Sequence, residues 1–308
     1  MAGTKEIKRR IKSIKNTKKI TKAMELVSAS KMKRAVSATL ASRLYAEYSW
    51  EILTSIAENA EELKHPLFTD KEKPAGKVLL VLITSNRGLC GAYNAQIIKK
   101  AIALLKNGKN EVEVVTIGKK GNVAMQRLGV KVLASFNDLS EDISLREIVP
   151  ISKLLSEEYT ANYDKVFIAY TDFVSALTQK PNIKQLIPIS KEEIKKLATW
   201  DDSSVSFDDA NTSWDGETLS KTKVDYLFEG DVNVLISSLA EKLTRMQIYQ
   251  MLLESNASEQ SARMIAMKNA SDASGEMIED LTLVFNKARQ SNITKEISEI
   301  SAGMASVS

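Results

Sequence analysis

At 308 residues, with 44% hydrophobic and 27% charged side chains, the chain has the composition of an ordinary globular protein able to bury a substantial core. A single cysteine, Cys90, excludes an internal disulfide, and with a single histidine, His65, it excludes a Cys/His zinc cluster. The net charge of +4 conceals an asymmetry: residues 1–34 hold twelve Lys or Arg against Glu6 and Glu25, a local charge of +10, which leaves about −6 for the remainder.

The start "MAGTKEIKRRIK" has no apolar signal region, so a secreted protein is not expected. No uninterrupted apolar run reaches the length of a membrane span. One cysteine fits a reducing compartment. All five prolines (Pro66, Pro74, Pro150, Pro181 and Pro188) lie between residues 66 and 188. Because proline breaks helix interiors, the proline-free flanks are expected to hold long helices.

In the first flank, 1–65, Ile7, Ile11 and Ile14, then Ile20, Met24 and Val27, recur at spacings of three and four. Leu40, Leu44, Ile52, Leu53 and Ile56 continue the stripe among good helix formers. A helix of about 55 residues would extend roughly 80 Å. Lys18, Thr21 and Ser28 occupy positions where a tight coiled-coil seam would carry leucine, so a loose seam is expected.

The middle, 66–199, alternates in another way. "KVLLVLIT" (77–84), "EVEVVTIG" (111–118) and "KVFIAYT" (165–171) read as buried strands, with "VKVLASF" (130–136) and "IKQLIPI" (183–189) as weaker ones. Helical stretches fall at 91–106, 119–128 and 144–160. This β/α alternation predicts a small Rossmann-like α/β domain with a mainly parallel sheet. An acidic, serine-rich stretch, 200–222, reads as a mobile loop. The last flank, 223–308, carries Leu235, Leu239, Leu243 and Met246, then Leu253, Ile265, Met277, Leu281, Val284 and Ala288, and ends with Ile293, Ile297 and Ile300. Only Gly275 weakens the helix there, by about 1 kcal/mol. Two such helices at opposite chain ends predict a long antiparallel coiled coil beside the α/β domain.

Candidate chemistry is sparse. "TSNRGLCGAYN" (84–94) supplies a GxxG after a strand, short of the dinucleotide and phosphate-loop fingerprints. Gly88 and Gly91 are expected to ease a tight turn, with Cys90 as a small apolar filler. A nucleophilic role for Cys90 would need His65, which sits in "KHPLF". "GKKG" (118–121) could hold a phosphate at a helix start, but a solvated turn is the simpler reading. The pairs Asp201–Asp202 and Asp208–Asp209 fall in the acidic loop, where nothing holds two carboxylates across a cleft. No catalytic residue, metal site or cofactor is expected. The basic helix lacks aromatics for nucleic-acid stacking and large anchors for a membrane surface, so an acidic protein partner fits it best. A nucleic-acid-binding or scaffold coiled coil is the alternative.

The segment "IKRRIKSIKNTKKITKAMELVSASKMKRA" (7–35) resembles the γ subunit of the F-type ATP synthase. "SEQSARMIAMKNASDAS" (258–274), "VFNKARQSNITKEISEI" (284–300) and the 84–94 loop resemble the same family, in the same order along the chain. The resemblance implies a non-catalytic rotor shaft in the α3β3 head, with the α/β domain at its foot. Proton flow would turn the membrane ring and this shaft with it. It implies contacts with the α and β head at Met24, Lys31, Lys33, Arg263, Arg289, Gln290 and Thr294. Tyr226 and Glu229 in "VDYLFEGD" would face the ε subunit and the membrane c-ring. The chloroplast type carries a cysteine pair in a regulatory insert, and this chain has none there. A bacterial subunit, peripheral on the cytoplasmic side of the plasma membrane, is the resulting expectation.

Overall fold

The computed structural model describes residues 2–59, 67, 76–107, 111–140, 142–188 and 232–307; within the terminal helices, side chains are described for 4–42 and 238–302. The chain divides into two compact units, Met1–Ser30 with Arg263–Ser308, and Lys31–Ala262. The acidic stretch 200–222, His65, and the flank residues Leu44, Ile52 and Leu235 have side chains outside the described residues.

Both proline-free flanks form helices, α1 (Ala2–Asn59) and α5 (Val232–Val307). Between them lie β1 (Lys77–Ile83), α2 (Tyr93–Asn107), β2 (Glu111–Ile117), α3 (Lys119–Arg127), β3 (Val132–Phe136), α4 (Leu145–Ala161), β4 (Lys165–Phe173) and β5 (Gln179–Ile187). The sheet order is β3-β2-β1-β4-β5. The first four strands are parallel, while β5 returns antiparallel beside β4. Pro181, which has no N–H to give a ladder, sits in this edge strand.

β1 is central, and Leu79 to Leu82 are fully buried because helices cover both faces. On one face Leu80, Leu82, Val114 and Ala169 pack with Ile97 and Ala101 of α2 and Met125 of α3. On the other, Leu79, Val81, Val115, Val166 and Ile168 meet Ile148, Ile151, Leu155 and Tyr159 of α4, together with Ile248, Met251 and Leu252 of α5. Each fully buried aliphatic side chain here contributes about 1.5–3 kcal/mol.

Helix α4 starts at a reciprocal cap. The Ser144 and Ser140 N–H groups donate to the Glu147 carboxylate at 2.8 and 3.0 Å, and both serine hydroxyls join them. These main-chain donors, Ser144 first, lower the Glu147 pKa to about 2. At the opposite end of the strands, Glu113 is buried and accepts hydrogen bonds from Lys131 and Tyr163, both at 2.6 Å. The Lys131 bond, followed by that of Tyr163, holds the carboxyl below its ordinary range, and burial with the adjoining carboxylate pushes the phenol upward. Start of β2, approach to β3 and approach to β4 are thereby tied together.

The terminal helices depart from the expected stripe. Among the described side chains of α1, Thr21, Ser28, Ala35, Thr39 and Ser42 are buried, four of them seven apart, whereas Ile20 and Leu26 are 61% exposed, Val27 54% and Leu40 44%. Short side chains therefore supply the fully buried positions, while Ile7, Ile11, Ile14 and Met24 are half-buried and Ile20, Leu26, Val27 and Leu40 are turned outward. In α5, Leu243, Met246, Leu253 and Met267 are buried as expected, but Met277, Val284, Ile293, Ile297 and Ile300 are exposed. Where Lys18 lies beside Gly275, an added Cβ would come within 2.8 Å of its Nζ. Ala35 packs with Ala257 and Phe173.

Candidate functional site

The two glycine loops at the C-terminal ends of β1 and β2 are built against each other. Gly118 has φ +97°, and a Cβ there would collide with the Thr84 carbonyl oxygen. A Cβ on Gly121 would stand 2.8 Å from Thr84 Oγ1. Both glycines let the end of β1 lie directly on the start of α3. The first amides of α3 are consequently occupied: Lys119 N–H donates to Asn86 Oδ1 at 3.1 Å, Lys120 N–H to the Ser85 carbonyl at 3.1 Å, and Gly121 N–H to Thr84 Oγ1 at 2.8 Å. A phosphate cradle needs those donors free, so "GKKG" does not form one. Nor is it a merely solvated turn, since the β1 loop satisfies its donors.

The 84–94 loop closes in the same manner. Asn94 accepts the Ser85 N–H at 3.0 Å and donates to Ser85 Oγ at 2.7 Å and Cys90 Sγ at 3.1 Å. Cys90 is buried, as expected, but among polar partners and not as a purely apolar filler. The tight turn falls on Leu89 (φ +64°) and Gly91 (φ +57°), and Gly88 has neither a positive φ nor a close neighbour that would demand glycine. No group of three or more metal-ligating residues occurs among the described residues.

A second polar contact joins the sheet to α5. Thr171 N–H donates to Ser255 Oγ at 3.0 Å, and Ser258 Oγ donates to the Thr171 carbonyl at 3.2 Å. Ser261 Oγ donates to the Ala176 carbonyl at 2.5 Å and accepts from Gln179 Nε2 at 3.4 Å. Sequence reasoning missed these serines. Their only signal was a three-residue spacing of serines, hidden among the other polar residues Glu254, Asn256, Glu259 and Gln260.

The residues expected at a partner surface are distributed as follows. In the unit of Met1–Ser30 and Arg263–Ser308, Met24 is half-buried and Arg263 is buried, while Arg289, Gln290 and Thr294 are exposed. Gln290 and Thr294 share a face, and Thr294 Oγ1 donates to the Gln290 carbonyl at 3.0 Å. In the other unit Lys33 is exposed, and half-buried Lys31 lines a cavity of about 120 Å³ with Arg34, Asp142, Asn256 and Gln260. Arg34 pairs with Asp142 at 3.5 Å. Lys31 and Lys33 thus look out from different sides of α1. Tyr226 and Glu229 lie outside the described residues. Around Ile20, Leu26 and Val27 the surface of α1 is both apolar and basic, with Lys19 and Lys22 exposed beside them. No described helix is long and apolar enough to cross a membrane.

Long terminal helices with exposed large apolar residues and a doubly covered α/β sheet define the class: a helical and α/β protein with no catalytic constellation among its described residues. The ATP synthase family model matches residues 3–307. The ATP synthase gamma chain of Legionella pneumophila (strain Corby) is 34% identical over 311 residues, and that of Azoarcus sp. (strain BH72) 38% over 313, each alignment covering 100% of both chains. A chain in the cryo-EM structure of the Tetrahymena thermophila mitochondrial ATP synthase, central stalk and c-ring, is 26% identical with a TM-score of 0.59, over 82% of this chain and 99% of that one. The chain belongs to the ATP synthase gamma-chain family. The alternative of a nucleic-acid-binding or scaffold coiled coil gains no support from these relatives.

Proposed function

We propose that this chain is the central-stalk rotor of an F-type ATP synthase, a non-catalytic subunit that couples proton flow through the membrane ring to ATP synthesis or hydrolysis at the α3β3 head. Full-length family membership carries the reading. The architecture supports it: leucine and isoleucine side chains outside the seam of α1, within a run of lysines, suit a surface that meets successive acidic partners in different orientations. Charge attraction of this kind does not need one rigid register.

In this reading the partners are the α and β subunits, the ε subunit and the c-ring, with one copy of the chain per complex. Met24, Lys31, Lys33, Arg263, Arg289, Gln290 and Thr294 meet the head, and Tyr226 and Glu229 face ε and the ring. The division into an N-terminal helix (1–65), a foot domain (66–199), an acidic loop (200–222) and a C-terminal helix (223–308) follows the same assignment. Its place is peripheral, on the cytoplasmic face of a bacterial plasma membrane. Reconstitution with α and β subunits tests the function. Steady ATP hydrolysis is expected only when this chain is added, and its absence with competent α and β would overturn the assignment.

A further inference from the structure

Open parallel sheets bind their ligands outside the C-terminal ends of two neighbouring strands whose connections leave in opposite directions. Here those strands are β1 and β4: β1 leads through α2 to β2 on one side, and β4 turns into β5 on the other. Pairing between them ends at Leu82 and Ala169, so from there to Phe173 β4 has a strand partner only on its β5 side. Opposite Thr171 stands Pro181, which has no N–H to offer. The Thr171 main chain turns instead to α5, where Ser255 accepts its N–H and Ser258 donates to its carbonyl. One turn further on, Ser261 holds the β4–β5 hairpin through Ala176 and Gln179. All three serines are at most 1% exposed. A hydroxyl inside a helix commonly bonds back to the carbonyl four residues earlier, as Thr244 does to Ala240 and Ser274 to Ala270. Ser258 and Ser261 direct their protons across to the sheet.

We propose that the crevice used elsewhere for a ligand serves here as a mechanical joint, in which Ser255, Ser258 and Ser261 clasp the part of β4 that extends past β1, with its hairpin, and fix the rotational register of α5 on the sheet. The proposal rests on the central-stalk reading. Apolar contact through Ile248, Met251 and Leu252 attracts without direction and tolerates slip, whereas hydrogen bonds to main-chain groups hold only in one register. Twist borne by α5 then enters the α/β domain without loss.

The test uses the full complex in sealed vesicles, with Ser255→Ala/Ser258→Ala together and Ser261→Ala alone. ATP hydrolysis with the gradient collapsed is expected within about twofold of the parent, while protons pumped per ATP and gradient-driven synthesis fall about fivefold in the double variant, by analogy with the loss of a directional restraint of roughly 1 kcal/mol. Rotor angular fluctuation in single complexes should widen in step, and Ser258→Thr, which keeps the hydroxyl, should restore coupling to the Ser255→Ala/Ser258→Thr chain. Unchanged coupling in both variants overturns the clasp. A parallel fall of hydrolysis and coupling assigns the serines to folding alone and overturns it too. If the double variant does not assemble, Ser261→Ala decides by the same split. Failure of the unaltered chain to support hydrolysis would instead sink the central-stalk reading.

Discussion

The sheet and the terminal helices bury opposite kinds of side chain. β1 is sealed by Leu79, Leu80, Val81 and Leu82, whereas the buried heptad of α1 is Thr21, Ser28, Ala35 and Ser42, with Ile20, Leu26 and Val27 left outside. Replacing a buried leucine by a small hydroxyl residue forgoes about 2 kcal/mol of apolar burial. The sheet thus buries its large apolar groups within the chain, with α5 completing one face, while Ile20, Leu26 and Val27 of α1 stay available to other surfaces.

The sharpest test of that contrast is at the sheet. Gly118→Ala places a Cβ against the Thr84 carbonyl oxygen at a φ that disfavours any side chain, and should destabilise the α/β domain by on the order of 4 kcal/mol in guanidinium unfolding. A loss below about 1 kcal/mol would show that the two loops are not locked. Glu147→Gln should cost about 1 kcal/mol through the α4 cap. Because the folded pKa of Glu147 lies near 2, below its ordinary 4.5, this stabilisation is complete above about pH 4.5 and is lost as pH falls through 2. The variant should therefore converge on the parent in acid, and a constant difference between pH 5 and 2 would refute the account. Smallest of all, Ile20→Ser and Val27→Ser should change the stability of the isolated chain by no more than about 0.5 kcal/mol, yet weaken its assembly with α and β subunits. Should either cost as much as a core truncation, the comparison fails.

Much of the architecture was legible beforehand, for identifiable reasons. Continuous runs such as "KVLLVLI" admit few readings other than a strand buried on both faces, and the absence of proline marked both long helices. β5 begins earlier than its apolar run because "QKPN" carries no strand signal and is held only by pairing with β4. The α1 seam was legible in part: Thr21 and Ser28 are buried at the seam positions expected of them, whereas Ile20 and Val27, which the apolar spacing placed in the stripe, are exposed. Strain at Leu89 and not Gly88 was equally invisible, since residue type alone points to glycine. The clasp serines read as ordinary helix residues until their partners in β4 are known.

The pairing of Met1–Ser30 with Arg263–Ser308 sets an order of events at synthesis. Met1–Ser30 finds its partner residues only after the intervening 31–262, more than two hundred residues, have been made. Its seam residues Thr21 and Ser28 must wait through that interval, while the α/β domain has all of its strands in hand by residue 187. Lysines dense along that helix are then also a safeguard, keeping nascent chains apart until the final turn of α5 emerges.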